Sequence, residues 1–248
     1  MAGVLAVIPA RFASTRFPGK PLAKIGGKEM VLHVCDRVSR CENVDRFVVA
    51  TDDQRILDTV LKGGYQAMMT RSDHPSGTDR IQEVAASSDE SLILNIQGDE
   101  PFINPEVVDQ LIGDFQERGQ DCSAGTLGCP ITHTEDLENP NIVKVVISGS
   151  NKALYFSRSR IPYQRNAGKM LVPVYRHIGM YLYRRETLAE FSSLPESALE
   201  QTEMLEQLRL LENDREIYVG ITGKAPIGID TPQDLEKAQE YYAQLAKI

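Results

Sequence analysis

Three cations and several small residues follow the first apolar run of the sequence. The run ends at Pro9, and Arg11, Arg16 and Lys20 come next among small side chains. Small side chains let backbone amides approach an anion, and cations neutralise phosphate charge. Each cation alone is more typical of a solvated loop, and a Walker A loop would need Gly-Lys-Ser or Gly-Lys-Thr entering a helix at once. Their joint position after a buried strand nevertheless predicts a triphosphate site.

Acidic residues end two other apolar stretches. Asp99 and Glu100 follow LILNIQG, and Asp230 follows a short apolar stretch just before a helical pattern. Mg²⁺ takes oxygen ligands and commonly uses only one or two carboxylates, with phosphate and water completing its shell. Asp99 and Asp230 suit that role, and Glu100 is a weaker candidate. The alternative is that these acids only cap or favour the N-termini of helices.

Short β-rich runs alternate with helical patterns through the first half, which predicts βαβ units. The predicted strands GVLAVIP, DRFVVAT and SLILNI are apolar almost throughout, as in a mostly parallel sheet covered by helices on both faces. The predicted helices are MVLHVCDRVSR, QRILDTVLKGG and PEVVDQLIGDFQER. Ligands of a doubly wound α/β sheet bind beyond the carboxyl ends of its strands. The candidate site is therefore formed by the loops after Pro9, Ala50, Met69 and Ile96.

The pattern changes near Ala124. The segments NIVKVVIS, KALYFSR, RHIGMYLYRR and EIYVGI predict strands of an inserted or extended sheet region. Apolar residues at helical spacing in LEQTEMLEQLRLLE predict a single helix, whose apolar face could pack inside the monomer or against a second chain. A final helix is expected near Thr231, with Thr231 as its N-cap and Pro232 in its first turn. We see no firm domain boundary and expect one domain.

Composition excludes several classes of protein. The chain of 248 residues carries a net charge of -8, so extended binding to nucleic acid or to an anionic membrane is not expected. No stretch is long and apolar enough to predict a membrane span, and the first residues lack the pattern of a signal peptide. The four cysteines fit no common zinc spacing and are expected to be reduced thiols. These features point to the cytoplasm.

Seven segments in collinear order resemble the 3-deoxy-manno-octulosonate (Kdo) cytidylyltransferase family. The segments are PARFASTRFPGKPL, MTRSDHPSGTDR, NIQGDEP, ALYFSRSRIPY, RHIGMYLYR, LEQTEMLEQLRLLE and GIDTPQDLE. The resemblance implies transfer of CMP from CTP to Kdo for lipopolysaccharide biosynthesis. It also implies a Mg²⁺-dependent enzyme, a nucleotide-diphospho-sugar-transferase-like fold and a homodimer.

The resemblance also implies a division of labour along the chain. A nucleotide-binding half would cover about residues 1–123, a sugar-binding and dimerisation half about 124–225, and a C-terminal segment would return Asp230 to the site. Nucleotide-binding roles are implied for Ala10, Arg11, Ser14, Lys20, Arg71, Ser76, Gly77 and Asp99. Sugar-binding roles are implied for Gln97, Arg158, His177, Tyr181, Glu206 and Gln207. Catalytic roles are implied for Arg11, Arg16, Lys20, Asp99 and Asp230, the two acids being the metal ligands.

This residue inventory matches the proposed reactants. An acid sugar needs a cation for its carboxylate and neutral groups for its hydroxyls. Attack by the anomeric hydroxyl on the α-phosphorus of CTP would need positioning and charge neutralisation rather than a covalent intermediate. Alternatives remain open for single residues, because His177 could be a structural histidine and Ser76 a helix cap. The substrate could also be 8-amino-Kdo or a sialic acid, or the protein could bind nucleotide without catalysis.

Overall fold

The computed structural model of the protein describes residues 3–13, 17–165, 172–223 and 225–245. The chain divides into two units, the first formed by residues 1–109 with 226–248 and the second by residues 110–225. The division into functional halves near residue 123, which the resemblance implied, stays a prediction. Residues 226–248 group with the first unit, although the second unit separates them from it along the chain.

The first unit contains a parallel sheet, a two-stranded hairpin and surrounding helices. Its strands are β1 (Val4–Ala10), β2 (Lys24–Ile25), β3 (Lys28–Glu29), β4 (Arg46–Thr51), β5 (Ala67–Met69) and β6 (Leu92–Asn95). Its helices are α1 (Met30–Val38), α2 (Gln54–Lys62), α3 (Gly77–Ala85), α9 (Pro232–Leu245) and the start of α4 (Pro105–Arg118). Strand β1 pairs in parallel with both β4 and β6, and β4 pairs in parallel with β5. The predicted βαβ pattern is confirmed.

Burial explains why these runs form parallel strands. The side chains of β1 from Val4 to Ile8 are at most 1% exposed, and every residue of β6 is buried. Strands that are apolar on both faces can be stable only between covering layers. Their carboxyl ends meet at one edge of the sheet, so the loops that follow β1, β4, β5 and β6 start from the same edge.

Helix α9 is fixed to the first unit by its start and by its packing. Thr231 Oγ1 accepts a hydrogen bond from the backbone amide of Asp234, and the carboxylate of Asp234 accepts one from the amide of Thr231. This reciprocal capping confirms the predicted helix start. Ile229 and Ala238 are fully buried in a cluster with Ile25 and Met30 of the first unit.

The second unit has a mixed sheet that is mostly antiparallel. Its strands are β7 (Ala124–Pro130), β8 (Lys144–Ile147), β9 (Ala153–Ser157), β10 (Tyr175–Arg184) and β11 (Ile217–Ile221). Its helices are α5 (Thr134–Glu138), α6 (Arg185–Phe191), α7 (Ala198–Glu203), α8 (Leu208–Glu212) and the end of α4. Strand β10 is antiparallel to β7 and β8, β8 is antiparallel to β9, and β11 is parallel to β7. The predicted fold class, a mostly parallel α/β sheet with an extended sheet region, is confirmed.

Strand β7 was not predicted because its sequence, AGTLGCP, contains two glycines and a proline. Glycine and proline are depleted in strands. The structure explains Gly125, since a Cβ atom there would lie 2.8 Å from the ring of Phe115. A close approach between α4 and β7 therefore requires a residue that local strand propensity disfavours.

The single helix expected for LEQTEMLEQLRLLE is wrong. The segment forms α7 and α8, which are separated at Met204, whose backbone is left-handed with φ 54°. Arg158 donates from Nε to the carbonyl of Glu203 at 2.7 Å and from a terminal nitrogen to the carbonyl of Met204 at 3.2 Å. The Glu203 carboxylate in turn accepts from the amide of Arg158 at 2.9 Å and from Ser157. These tertiary hydrogen bonds satisfy the end of α7 and override the helical periodicity.

Candidate active site

A cavity of about 230 Å³ lies at the carboxyl edge of the parallel sheet in the first unit. It is lined by Pro9, Ala10, Arg11, Lys20, Pro21, Ser76, Gly77, Arg80, Gln97, Gly98, Asp99 and Asp230. Eight of these residues were predicted as site residues, and they come from the loops after β1, β5 and β6 and from the segment before α9. The topology thus brings together side chains that are more than 200 positions apart in the sequence.

The segment after β1 turns back sharply to place Lys20 at the cavity. Gly19 has φ 72°, a conformation that favours glycine, and its amide donates to the carbonyl of Phe12 at 2.9 Å. A Cβ atom at Gly19 would lie 3.0 Å from the ring of Phe12. Arg55 stacks on the ring of Phe12 at 3.5 Å, which holds the base of the turn. Two predicted residues of this segment, Ser14 and Arg16, lie outside the described residues.

Lys20 links the two predicted metal ligands. Its ammonium nitrogen lies 2.5 Å from Asp99 Oδ2 and 3.4 Å from Asp230 Oδ1. The side chain of Lys20 is only 14% exposed, whereas that of Asp230 is 52% exposed. The amide of Ile229 donates to the carbonyl of Asp99 at 3.0 Å, so the backbone beside Asp230 is tied to the loop after β6. Burial of Ile229 thus positions Asp230.

The chemistry of these donors fits Mg²⁺. The carboxylates of Asp99 and Asp230 converge on one position, which the ammonium of Lys20 occupies in this structure. Two carboxylates with phosphate oxygens are a typical magnesium donor set. No cluster of three or more His, Cys, Asp or Glu side chains that could hold a metal occurs among the described residues. A magnesium site here would therefore depend on ligands from a bound phosphate.

The loop after β5 contributes Ser76 and Gly77 to the cavity. Ser76 Oγ accepts from the amide of Asp79 at 3.2 Å and donates to its carboxylate, so Ser76 is also the N-cap of α3. Arg71 is not part of the lining. Its guanidinium is paired with the carboxylate of Asp73 in a bidentate contact, and its side chain is 69% exposed.

Sequence reasoning missed Arg80 and Gly98. Arg80 lines the cavity at 3% exposure and donates to Asp52 Oδ2 at 2.8 Å. Arg80 is the last residue of the segment MTRSDHPSGTDR and lies one helical turn after Gly77, and this position could have predicted its place in the cavity. Gly98 lies against β1, because a Cβ atom there would be 2.7 Å from the carbonyl oxygen of Pro9. Gln97, predicted as a sugar ligand, also lines this cavity.

In the second unit, β10 places His177 and Tyr181 together, with ring centroids 5.4 Å apart. His177 is also packed against Phe156 at 5.0 Å, and burial lowers its pKa to about 3, so the ring is neutral at physiological pH. Thr126 Oγ1 donates to the carbonyl of Met180 at 2.7 Å and lies 3.1 Å from His177 Nε2. Because a hydroxyl has one proton, this network assigns the histidine proton to Nε2 and leaves Nδ1 as an acceptor.

Two predicted sugar ligands have buried polar atoms that make no hydrogen bond of normal geometry to the described residues. They are the hydroxyl of Tyr181 and Nε2 of Gln207, in side chains 8% and 7% exposed. Burial is also the main cause that raises the pKa of Tyr181 well above its ordinary value, so the hydroxyl keeps its proton. Buried polar atoms usually have partners, and exceptions suggest a ligand or water. Glu206 is adjacent to Gln207 in the turn between α7 and α8.

Arg158 is placed differently from the other predicted sugar ligands. Besides the carbonyls of Glu203 and Met204, its guanidinium donates to the carbonyl of Pro140 at 3.1 Å. Its own carbonyl accepts from Lys144 at 2.7 Å. In this structure the arginine therefore holds backbone segments of the second unit together.

A family model and several named relatives match most of this chain. A family model described as cytidylyltransferase matches residues 5–217. A 3-deoxy-manno-octulosonate cytidylyltransferase from Geobacter sulfurreducens is 47% identical over 248 residues, covering 96% of this chain and 98% of the relative. The protein of the same name from Syntrophotalea carbinolica is 45% identical over 245 residues, with coverage of 96% and 98%. The chain belongs to the 3-deoxy-manno-octulosonate cytidylyltransferase family.

Solved structures agree with membership of the 3-deoxy-manno-octulosonate cytidylyltransferase family. A CMP:2-keto-3-deoxy-manno-octonic acid synthetase complexed with CTP superposes with a TM-score of 0.93 at 44% identity, covering 98% of this chain and all of that one. A 4-diphosphocytidyl-2C-methyl-D-erythritol synthase from Anaerococcus prevotii has a TM-score of 0.66 at 15% identity, with coverage of 98% and 96%. The second likeness concerns the fold alone. None of the described helices has the length and apolar character that a membrane crossing requires.

Proposed function

We propose that this protein transfers CMP from CTP to 3-deoxy-manno-octulosonate, giving CMP-Kdo and diphosphate. The observation that carries the proposal is the convergence of Lys20, Asp99 and Asp230 in the cavity that Arg11, Ser76 and Gly77 also line. Cations and acids at the carboxyl edge of a parallel sheet suit a nucleoside triphosphate with its metal. Relatives that cover nearly the whole chain carry the name of this activity.

The chemistry requires no covalent intermediate with the protein. The anomeric hydroxyl of the sugar attacks the α-phosphorus of CTP, a new P–O bond forms, the bond to diphosphate breaks, and the hydroxyl proton passes to water. Arg11 and Lys20 neutralise charge that builds up on the leaving diphosphate. Such groups accelerate the reaction by binding the transition state more strongly than the ground state.

Asp99 and Asp230 are the proposed ligands of Mg²⁺. When bound, the ion supplies charge neutralisation for the phosphoryl oxygens. Lys20, which contacts both carboxylates in this structure, would then be available to phosphate oxygens. The carboxylates of Asp99 and Asp230 would thus attract both the lysine and the metal ion.

The sugar is proposed to bind residues of the second unit. The hydroxyl of Tyr181, Nε2 of Gln207 and the assigned acceptor Nδ1 of His177 offer neutral donors and acceptors for sugar hydroxyls. Glu206 lies in the same turn as Gln207 and adds an acceptor. Arg158 supports this set by fixing the backbone at Glu203 and Met204.

A homodimer that works in the cytoplasm is part of the proposal. The second unit exposes several apolar side chains, with Leu154 at 60%, Tyr163 at 84% and Val172 at 52%. Exposed apolar surface of this kind favours association. CTP is a cytoplasmic nucleotide, so we place the enzyme there and its product in lipopolysaccharide biosynthesis. Sedimentation equilibrium tests the dimer: we expect a dimeric mass for the protein and a lower mass for a Leu154→Glu variant. A monomeric mass for the unsubstituted protein would contradict the dimer.

The decisive experiment measures diphosphate release by the purified protein with CTP and Mg²⁺. Parallel reactions contain Kdo, 8-amino-Kdo, a sialic acid or no sugar. We expect release with Kdo above all others. Preference for another sugar would keep the reaction but change the substrate, whereas no release with any sugar would contradict the proposed activity. Omission of Mg²⁺ should abolish release, and full activity without divalent ions would refute the metal assignment.

A further inference from the structure

Two side chains on one face of α3 hold the loop of residues 70–76 at both its start and its middle. The guanidinium of Arg80 donates to Thr70 Oγ1, and the carboxylate of Glu83 accepts from the amide of Arg71 at 3.0 Å and contacts Nε2 of His74. Residues three apart on a helix face the same side. Helix α3 therefore holds the loop that leads into it.

Arg80 also connects the start of this loop to the neighbouring strand. It donates to Asp52 Oδ2 at 2.8 Å, just beyond the end of β4. The amide of Thr70 donates to the carbonyl of Thr51 at 2.8 Å, and the hydroxyl of Thr70 donates to the same oxygen at 3.0 Å. Arg80 is 3% exposed, so this connection is shielded from water. The first residue of the loop is thus fixed relative to the sheet.

The middle of the loop depends on Glu83. Arg71 and Asp73 have side chains that are more than half exposed and bond to each other, so those side chains fix nothing beyond the loop. His74, by contrast, has a side chain only 11% exposed, which lies against Glu83. The hydrogen bond from His74 lowers the pKa of Glu83, so its carboxylate is ionised at neutral pH. The carboxylate of Glu83 therefore holds the backbone amide of Arg71 and the ring of His74.

We propose that Glu83 is a positioning residue that keeps the loop of residues 70–76 in the form that binds CTP and distinguishes cytosine from uracil. The inference rests on the proposed function, in which this loop delivers Ser76 and Gly77 to the nucleotide. At the exocyclic group on C4 and at N3, cytosine presents a donor and an acceptor, whereas uracil presents an acceptor and a donor. A peptide group can tell them apart only if it cannot rotate, because a free peptide could offer either its N–H or its C=O.

Glu83 could instead merely stabilise α3, and a matched control separates the two roles. Glu90 forms two hydrogen bonds of 2.9 and 3.1 Å with Arg46, the first residue of β4. This pair lies at the opposite edge of the same sheet, away from the cavity. Loss of either glutamate removes two hydrogen bonds to one carboxylate, but only loss of Glu83 frees the loop of residues 70–76.

The experiment compares Glu83→Leu, Glu83→Gln and Glu90→Leu in the full-length protein. We expect Glu83→Leu to raise the KM for CTP roughly tenfold while kcat at saturating CTP stays within about twofold. The reason is that the free energy needed to order the loop weakens CTP binding and does not affect the bound state. The ratio of kcat/KM for CTP over UTP should fall by a similar factor. Glu83→Gln still offers an acceptor for the amide of Arg71 and should recover most of the loss. Glu90→Leu should lower Tm without changing KM or the nucleotide ratio.

Two measurements judge the inference independently of sugar transfer. Calorimetry gives the Kd for CTP without any sugar, and hydrogen exchange reports the protection of the amide of Arg71. Weaker CTP binding and faster exchange in Glu83→Leu would support the inference even if the wild-type protein released no diphosphate with Kdo. If wild-type protein does not bind CTP at all, both proposals are overturned.

An unchanged Kd and KM in Glu83→Leu, whatever its Tm, would overturn the positioning role. A fall in kcat at constant KM would also overturn it, because the residue would then act on the chemical step. If Glu83→Leu does not fold, His74→Leu removes one of the two contacts and should raise the KM for CTP about threefold. No change in that variant would refute the inference.

Discussion

The ammonium nitrogen of Lys20 lies 2.5 Å from a carboxylate oxygen of Asp99, although the two residues are 79 positions apart in the sequence. The same nitrogen lies 3.4 Å from Asp230, which is 210 positions away. One cation therefore contacts both acids in this structure. A bound triphosphate would compete with these carboxylates for the lysine, while a divalent cation would compete with the lysine for the carboxylates.

The first prediction concerns the role of Asp99. Asp99→Asn should reduce diphosphate release at least about 100-fold, because it removes a charged ligand of the proposed metal and a partner of Lys20. CTP binding should survive in part, since Arg11, Ser76 and Gly77 are unchanged. The measurement is steady-state turnover, with Mn²⁺ binding followed by electron paramagnetic resonance. Asp58→Asn, on the exposed face of α2, is the control and should behave as the wild type. Near-normal turnover in Asp99→Asn would rule out the metal assignment.

The second prediction tests the close approach of Gly98 to β1. Gly98→Ala would place a Cβ atom 2.7 Å from the carbonyl oxygen of Pro9, so the backbone beside Asp99 must move. We expect a loss of about 1–3 kcal/mol in unfolding free energy and a fall in kcat/KM of at least about tenfold. Urea denaturation and turnover measure these effects.

Gly113→Ala on α4 is the matched control. A Cβ atom at Gly113 would have nothing within 4 Å, and alanine favours a helix interior. This variant should gain up to about 1 kcal/mol of stability with unchanged activity. Equal behaviour of the two variants would contradict the packing argument for Gly98.

The third prediction follows from the buried, neutral ring of His177. Its pKa is lowered by burial from 6.5 to about 3, so between these values the unfolded chain binds a proton that the folded chain excludes. Stability is therefore lost as the pH falls below 6.5, by about 2 kcal/mol at pH 5 from this group. His177→Gln, which keeps a neutral hydrogen-bonding side chain, should flatten the decline of unfolding free energy between pH 7 and pH 5. His133→Gln alters an exposed histidine and should leave the decline unchanged.

The fourth prediction concerns the left-handed backbone of Met204. Met204→Gly should raise the free energy of unfolding by about 1 kcal/mol, because glycine adopts φ 54° without the steric cost of a Cβ atom. Little burial is lost, since Met204 is 76% exposed. Gln201→Gly, at an exposed position of α7, should instead cost about 1 kcal/mol. Destabilisation by both variants would show that the break after α7 is not strained.

Much of the first unit could be predicted because its signals are local. The apolar runs of β1, β4 and β6 and the periodicity of α1, α2 and α4 were each located to within a few residues. Thr231 and Pro232 marked the start of α9 through capping chemistry. The motifs also named most of the cavity lining, since they follow buried strands whose carboxyl ends share one edge.

What failed depended on contacts between distant segments. The break at Met204 is fixed by hydrogen bonds from Arg158, 46 positions away, which no local periodicity reveals. The glycines of β7 lower its strand propensity, yet Gly125 is required by the ring of Phe115. Arg80 was missed because a charged residue on a helix is usually solvated, whereas here Thr70 and Asp52 pair it in a buried position.

The sequence by itself determined the parallel α/β pattern and the family resemblance, and it predicted most of the cations and acids that line the cavity. Only the tertiary structure decided that Lys20 contacts both Asp99 and Asp230, that Arg71 pairs with Asp73 while Glu83 holds its amide, and that Arg158 binds backbone carbonyls of the second unit. The physical reason is one of range. Propensity, capping and strand burial act over a few residues, whereas hydrogen-bond partners of charged side chains are set by which distant segments the fold brings together.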